Sequence, residues 1–217
     1  MFDTVIFDLD GTLLDTSPGI VESVRHTIDV LGFEPRTEEA LFSFIGPPLR
    51  QSFLQTCGCG PEEAQRAVDV FRAYYQDGAL LNARPYDGIY ELCRRLEAAG
   101  IRMAVATNKP ERFAVRMLEH FGFHRYCRPI RGADEAGTLR KADLIRACVA
   151  ETGADPRRSV LIGDTANDGA GAQEAGVDFL AVTYGFGFRT EKDASGYPCI
   201  GAAETPARAG DILLNGK

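Results

Sequence analysis

Thr4-Val5-Ile6-Phe7-Asp8-Leu9-Asp10-Gly11-Thr12 stands near the start of the chain. Residues 3–9 read as a short, mostly apolar strand ended by Gly11. The apolar run Thr4–Phe7 marks a buried central strand. Carboxylates at the end of such a strand are costly unless a cation satisfies them. Asp8 and Asp10, two positions apart, therefore point to a shared metal or to a nucleophile with an acid/base partner. A solvated turn is the alternative, since Asp-Gly is a common turn pair.

Beyond that strand the pattern turns helical. One helix is expected from Ser17-Pro18 to Leu31, stopped by Gly32. Others are expected over Thr37–Phe44, Pro48–Thr56 and Pro61–Leu81, with breaks at Gly46-Pro47-Pro48 and Gly58-Cys59-Gly60. After Pro85 helices and strands alternate. The helices are expected at 87–99, 110–120, 139–151, 167–175 and 205–214. The strands are Ile101–Ala106, a weak one at 128–131, Ser159–Ile162 and Asp178–Thr183. Alternation of this kind implies parallel pairing with crossovers, hence an α/β fold with a doubly wound parallel sheet. Residues 1–16 and 82–217 form the expected core. Residues 17–81 interrupt it as an inserted helical cap.

Doubly wound sheets bind ligands beyond the carboxyl ends of their strands. A second acidic cluster follows the strand Ser159–Ile162, in Gly163-Asp164-Thr165-Ala166-Asn167-Asp168. Oxygen-only ligands of this type suit Mg²⁺. For Asp168, capping of the following helix competes with that reading. Thr107, in Ala106-Thr107-Asn108-Lys109-Pro110, can offer its hydroxyl and N–H to a phosphate, or simply start a helix whose first residue is Pro110. Lys141 begins a predicted helix, where a cation opposes the helix dipole, and that misfit hints at an anionic neighbour. Arg140 has the same claim, and a solvated lysine is the alternative.

Composition limits the partners. The chain has 217 residues and a formal charge of −7 at pH 7, without a basic block. That argues against nucleic acid and against an anionic membrane surface. No apolar stretch of about 18 residues suggests a membrane span, and the N-terminus lacks the features of a signal peptide. The six cysteines are therefore expected to be reduced, in a cytoplasmic protein.

Taken in order, Asp8-x-Asp10-Gly11-Thr12, the strand ending in Thr107-Asn108, Lys141, and Gly163-Asp164-x-x-x-Asp168 resemble the haloacid dehalogenase superfamily. The subgroup looks like phosphoglycolate phosphatase and its close relatives. The resemblance implies a Rossmann-like core and Mg²⁺-dependent hydrolysis of a small-molecule phosphomonoester. In this scheme Asp8 forms an aspartyl-phosphate and Asp10 serves as acid and then base. Mg²⁺ is held by Asp8, the Asp10 carbonyl and Asp164, with Asp168 beside it. Lys141 and Thr107 hold the phosphoryl oxygens, and Asn108 joins Thr107 in binding substrate. One departure is visible: Ala142 follows the lysine where the family usually has proline. Arg50, in the loop 44–50, is either a contact for a substrate carboxylate, as 2-phosphoglycolate would need, or an exposed helical arginine. Alternatives to a phosphoglycolate phosphatase are phosphotransfer resembling β-phosphoglucomutase, and pyrophosphatase or nucleotidase activity.

Overall fold

The structure is a computed structural model that describes residues 2–134 and 138–215; residues 1, 135–137 and 216–217, which the expected core includes, lie outside them. The chain divides into two compact units, Met1–Asp15 with Pro85–Lys217, and Thr16–Arg84.

The first unit is built on a six-stranded parallel sheet. Its strands are β1 (Thr4–Phe7), β2 (Arg102–Pro110), β3 (Cys127–Ala133), β4 (Ser159–Gly163), β5 (Asp178–Val182) and β6 (Gly201–Ala203). Their order across the sheet is β3-β2-β1-β4-β5-β6, and every pairing is parallel. All the carboxyl ends therefore share one edge. The direction of winding reverses between β1 and β4, the topological switch point where such sheets bind ligands. Both strands are buried along their whole length, as a sheet covered on both faces requires. Ile6, Ala104 and Leu161 pack with Leu144, Ile145 and Ala172 of α7 (Lys141–Thr152) and α8 (Ala166–Ala175). Val5, Phe7, Val160 and Ile162 alternate to the other face, on the side of α5 (Ile89–Ala98) and α10 (Pro206–Asn215). Two further helices, α6 (Glu111–His120) and the short α9 (Glu191–Ala194), complete the unit.

Several elements differ from the sequence expectation, among them the short α9, where no helix was expected. Strand β2 runs four residues beyond Ala106, and Pro110 precedes α6 instead of starting it. The reason is its partner: pairing with β3 continues through Thr107 opposite Gly132 and Pro110 opposite Ala133, with an irregularity between them. Strand β6 was not anticipated, because Gly201-Ala202-Ala203 has no apolar pattern. It is held by backbone pairing to β5.

The second unit contains α1 (Ser17–Leu31), α2 (Glu38–Phe42), α3 (Leu49–Cys57) and α4 (Pro61–Asp77), then a 3₁₀ turn at Ala79–Leu81. The unit holds residues 17–81, and also Thr16 and residues 82–84, which the sequence reading assigned to the core. Gly32 and Gly58 close α1 and α3 in left-handed conformation, and Glu62 and Glu63 suit the positive end of α4. Val24, Ile28, Phe44, Phe53, Val68, Phe71 and Leu80 form the unit's buried interior. Each such side chain contributes about 1.5–3 kcal/mol on burial. Phe71 and Tyr75 stack inside, whereas Tyr74 stacks on His26 and donates to Glu22.

Candidate active site

The carboxyl edge of β1 and β4 gathers the candidate groups. The Asp8 N–H donates to the Ile162 carbonyl at 2.9 Å, so pairing extends one residue past β1 and brings Asp8 beside Gly163-Asp164. Gly11 turns the chain with φ +83°, and a Cβ there would lie 2.3 Å from Oδ2 of Asp164. Only glycine meets both conditions. Asp8, Asp164 and Asp168 each bring a carboxylate oxygen within 4.8 Å of the others. All three are buried, with Asp8 the most exposed at 7 %.

Lys141 reaches into this group. Its Nζ lies 2.7 Å from Oδ1 of Asp8 and 2.7 Å from Oδ1 of Asp168. Its position at the first residue of α7 is thereby explained. Two carboxylates from other elements outweigh the unfavourable helix terminus. Burial alone would push the lysine pKa down, but Asp168 and Asp8 hold it above its ordinary value. Burial pushes Asp8 up to about 6, with Lys141 opposing and Asp168 reinforcing the shift. Asp164 is pushed up to about 7 by burial and by the charges of Asp168 and Asp8. Asp168 caps the following helix, as one of its two readings expected, and also pairs with Lys141. Its Oδ2 accepts the Thr165 N–H at 3.0 Å in a capping box, while Oδ1 holds Lys141.

The sequence profile of the haloacid dehalogenase-like hydrolases matches residues 5–182, which span every group described so far. The chain belongs to this family. A 5'-nucleotidase of Pseudomonas aeruginosa is 38 % identical over 191 residues, 88 % of this chain and 86 % of that protein. A phosphoglycolate phosphatase of Agrobacterium fabrum is 36 % identical over 83 % of this chain and 80 % of its own length. Among solved structures, a haloacid dehalogenase-like family hydrolase from Streptococcus pneumoniae superposes with a TM-score of 0.87, at 30 % identity and 96 % coverage of both chains.

The haloacid dehalogenase-like site also contains groups that residue types alone did not single out. Strand alternation in the extended β2 buries Thr107 and Lys109 and leaves Asn108 exposed between them. The Thr107 hydroxyl accepts the Lys109 N–H at 3.2 Å. The Lys109 ammonium lies 2.9 and 3.1 Å from the two oxygens of Asp10. Asp10 is thus turned toward Lys109, and its carboxylate is not in the triad. Arg140 faces outward and forms a two-point ion pair with Glu174. Arg50, in the first turn of α3, is exposed in the second unit.

Asp164 is gripped by the loop after β5. The N–H groups of Phe186 and Gly187 donate to its Oδ2 at 2.7 and 3.2 Å, and the Thr12 hydroxyl to Oδ1 at 3.4 Å. Gly185 makes this approach possible. A Cβ there would meet the Gly11 carbonyl oxygen at 2.3 Å and Cβ of Asp164 at 2.5 Å. Four carboxylates (Asp8, Asp10, Asp164 and Asp168) thus lie with two ammonium groups (Lys109 and Lys141), so acidic groups outnumber cationic ones here. The acidic triad and that excess of acidic groups fit a divalent cation. Among the described residues, no helix is long and apolar enough to cross a membrane.

Proposed function

We propose that this phosphomonoester hydrolase cleaves a small phosphorylated metabolite through an aspartyl-phosphate on Asp8, with 2-phosphoglycolate as the leading substrate. One observation carries the mechanism: Asp8 sits at the switch point, 2.7 Å from a buried lysine and within the acidic triad. Lys141 favours the ionised form of Asp8 and so keeps a nucleophile at neutral pH. Asp8 attacks phosphorus as the ester P–O bond breaks, and Asp10 gives its proton to the leaving oxygen. Asp10 then takes a proton from the attacking water, phosphate leaves, and Asp8 is regenerated. Thr107 and Lys141 hold the phosphoryl oxygens as charge develops. The cation of this reading is Mg²⁺, held by Asp8, Asp164 and the Asp10 carbonyl, with Asp168 adjacent. When bound, it offsets the negative charge of these carboxylates and draws an anionic phosphate to an anionic nucleophile.

Residues Thr16–Arg84 act in this proposal as the cap that selects the substrate. Arg50 is its carboxylate contact, and Asn108 is a contact from β2. The phosphoglycolate phosphatase relative supports the carboxylate-bearing substrate. The 5'-nucleotidase relative favours a second reading, in which the ester is a nucleoside monophosphate. A cytoplasmic location belongs to the same proposal and is in keeping with six free thiols.

The test is phosphate release from 2-phosphoglycolate, nucleoside monophosphates, pyrophosphate and sugar phosphates, with Mg²⁺ or EDTA. Release is expected to be strongest from 2-phosphoglycolate and to vanish in EDTA. A preference for nucleoside monophosphates would replace the substrate and leave the mechanism standing. Full activity in EDTA would remove the metal from it.

A further inference from the structure

Lys141 has its partners in the acidic triad, but the site holds a second buried ammonium group. Lys109 stands at the carboxyl end of β2, and its side chain is only 6 % exposed. Its Nζ contacts both oxygens of Asp10, at 2.9 and 3.1 Å. The geometry matters because Asp10 itself is partly open to solvent, with 26 % of its side chain exposed. A terminal carboxylate torsion has a broad range of orientations unless a partner fixes it. A cation that meets both oxygens from one side removes that freedom. The ammonium stands on a buried side chain, and the backbone N–H of the same residue donates to the hydroxyl of Thr107. Strand alternation then aims Thr107 and Lys109 at the same side.

We propose that Lys109 is a positioning residue, which holds the carboxyl group of Asp10 toward the leaving oxygen and thereby sets how well poor leaving groups depart. The inference rests on the role of Asp10 given above. In the step concerned, Asp8 forms a bond to phosphorus, the bridging P–O bond breaks, and the Asp10 proton passes to the departing oxygen. An alkoxide needs that proton badly. An activated phenolate leaves without it. Lys109 thus affects the two kinds of ester unequally, whereas a purely structural ion pair affects them alike.

The experiment measures kcat/KM for p-nitrophenyl phosphate and for the best alkyl phosphate of the panel. This ratio reports only steps up to departure of the leaving group, so hydrolysis of the aspartyl-phosphate does not enter it. The proteins are wild type, Lys109→Met, Lys109→Arg, Asp10→Asn and the double variant Lys109→Met with Asp10→Asn. Lys109→Met is expected to lose roughly 10²-fold on the alkyl ester and less than about fivefold on the aryl ester. Lys109→Arg recovers most of the loss, and the double variant is no worse on the alkyl ester than Asp10→Asn alone. Equal losses on both esters, or losses that multiply in the double variant, overturn the proposal. If Lys109→Met does not fold, Lys109→Gln, which keeps a polar side chain, decides by the same ratio. Wild-type inactivity toward both esters would instead sink the hydrolase mechanism, and this inference with it.

Discussion

The sheet edge and the segment 44–50 make opposite uses of polar chemistry. At the edge, Asp8, Asp164, Asp168 and Lys141 are buried and bonded to one another or to fixed backbone amides. In the segment 44–50 only Phe44 is buried, and Gly46, Pro47, Pro48 and Arg50 lie open to solvent. The difference has a physical consequence. A buried charge cannot be changed without stranding its partner, while an exposed one can be exchanged at little cost to the fold. In the proposed function, reaction chemistry belongs to the first region and freedom to change substrate to the second.

The severest test of that contrast is Asp8→Asn, which removes the proposed nucleophile and nearly preserves shape. Phosphate release should fall by at least about 10³-fold on every ester. An active Asp8→Asn protein would overturn the mechanism. Next comes Lys141→Met. Activity should fall by about 10²–10³-fold. Denaturation in EDTA should show a loss of about 3–5 kcal/mol, because Asp8 and Asp168 remain buried without their cation. Unchanged stability would mean that the ion network is weaker than its geometry implies.

Smaller effects sharpen the picture. Gly185→Ala displaces the loop that grips Asp164, so Mg²⁺ affinity measured by calorimetry should weaken by about 10–100-fold. Arg50→Ala should cost roughly tenfold in kcat/KM on 2-phosphoglycolate and leave p-nitrophenyl phosphate unaffected. An equal loss on both would remove Arg50 from substrate selection.

The mildest effect is on pH. Burial pushes Asp8 up to about 6 and Asp164 up to about 7 in the folded protein, against 3.8 ordinarily. The folded state thus binds these protons more tightly than the unfolded one. Their contribution to stability is complete below about pH 4 and is lost as pH rises to about 7. With metal removed, the melting temperature should drop by a few degrees between about pH 5 and pH 7.5. Mg²⁺ should raise it more at the higher pH. A metal-free protein that grows steadily more stable over that range would contradict the burial of these carboxylates.

Much of this is legible in the sequence. The acids at residues 8, 10, 164 and 168 stand out because apolar strands run directly into them, and Lys141 because it sits at the wrong end of a helix. Lys109 was hidden for a definite reason. Thr107-Asn108-Lys109-Pro110 looks locally like a helix start, yet its pairing with β3 keeps it a strand. Had the strand been extended, period-two alternation would have put Lys109 beside Thr107. The amides of Phe186 and Gly187 had no comparable signal, since every residue but proline carries the same N–H group.

The sequence by itself determined the parallel α/β class, the interrupting helical block and the identity of the acidic cluster, because periodicity and residue type are local properties. Only the tertiary structure decided which ammonium meets which carboxylate. Asp8 and Lys141 are 133 residues apart in the chain, and Lys109 and Asp10 are 99 apart. Such pairs are brought together by strand order and register, which depend on how the whole sheet packs.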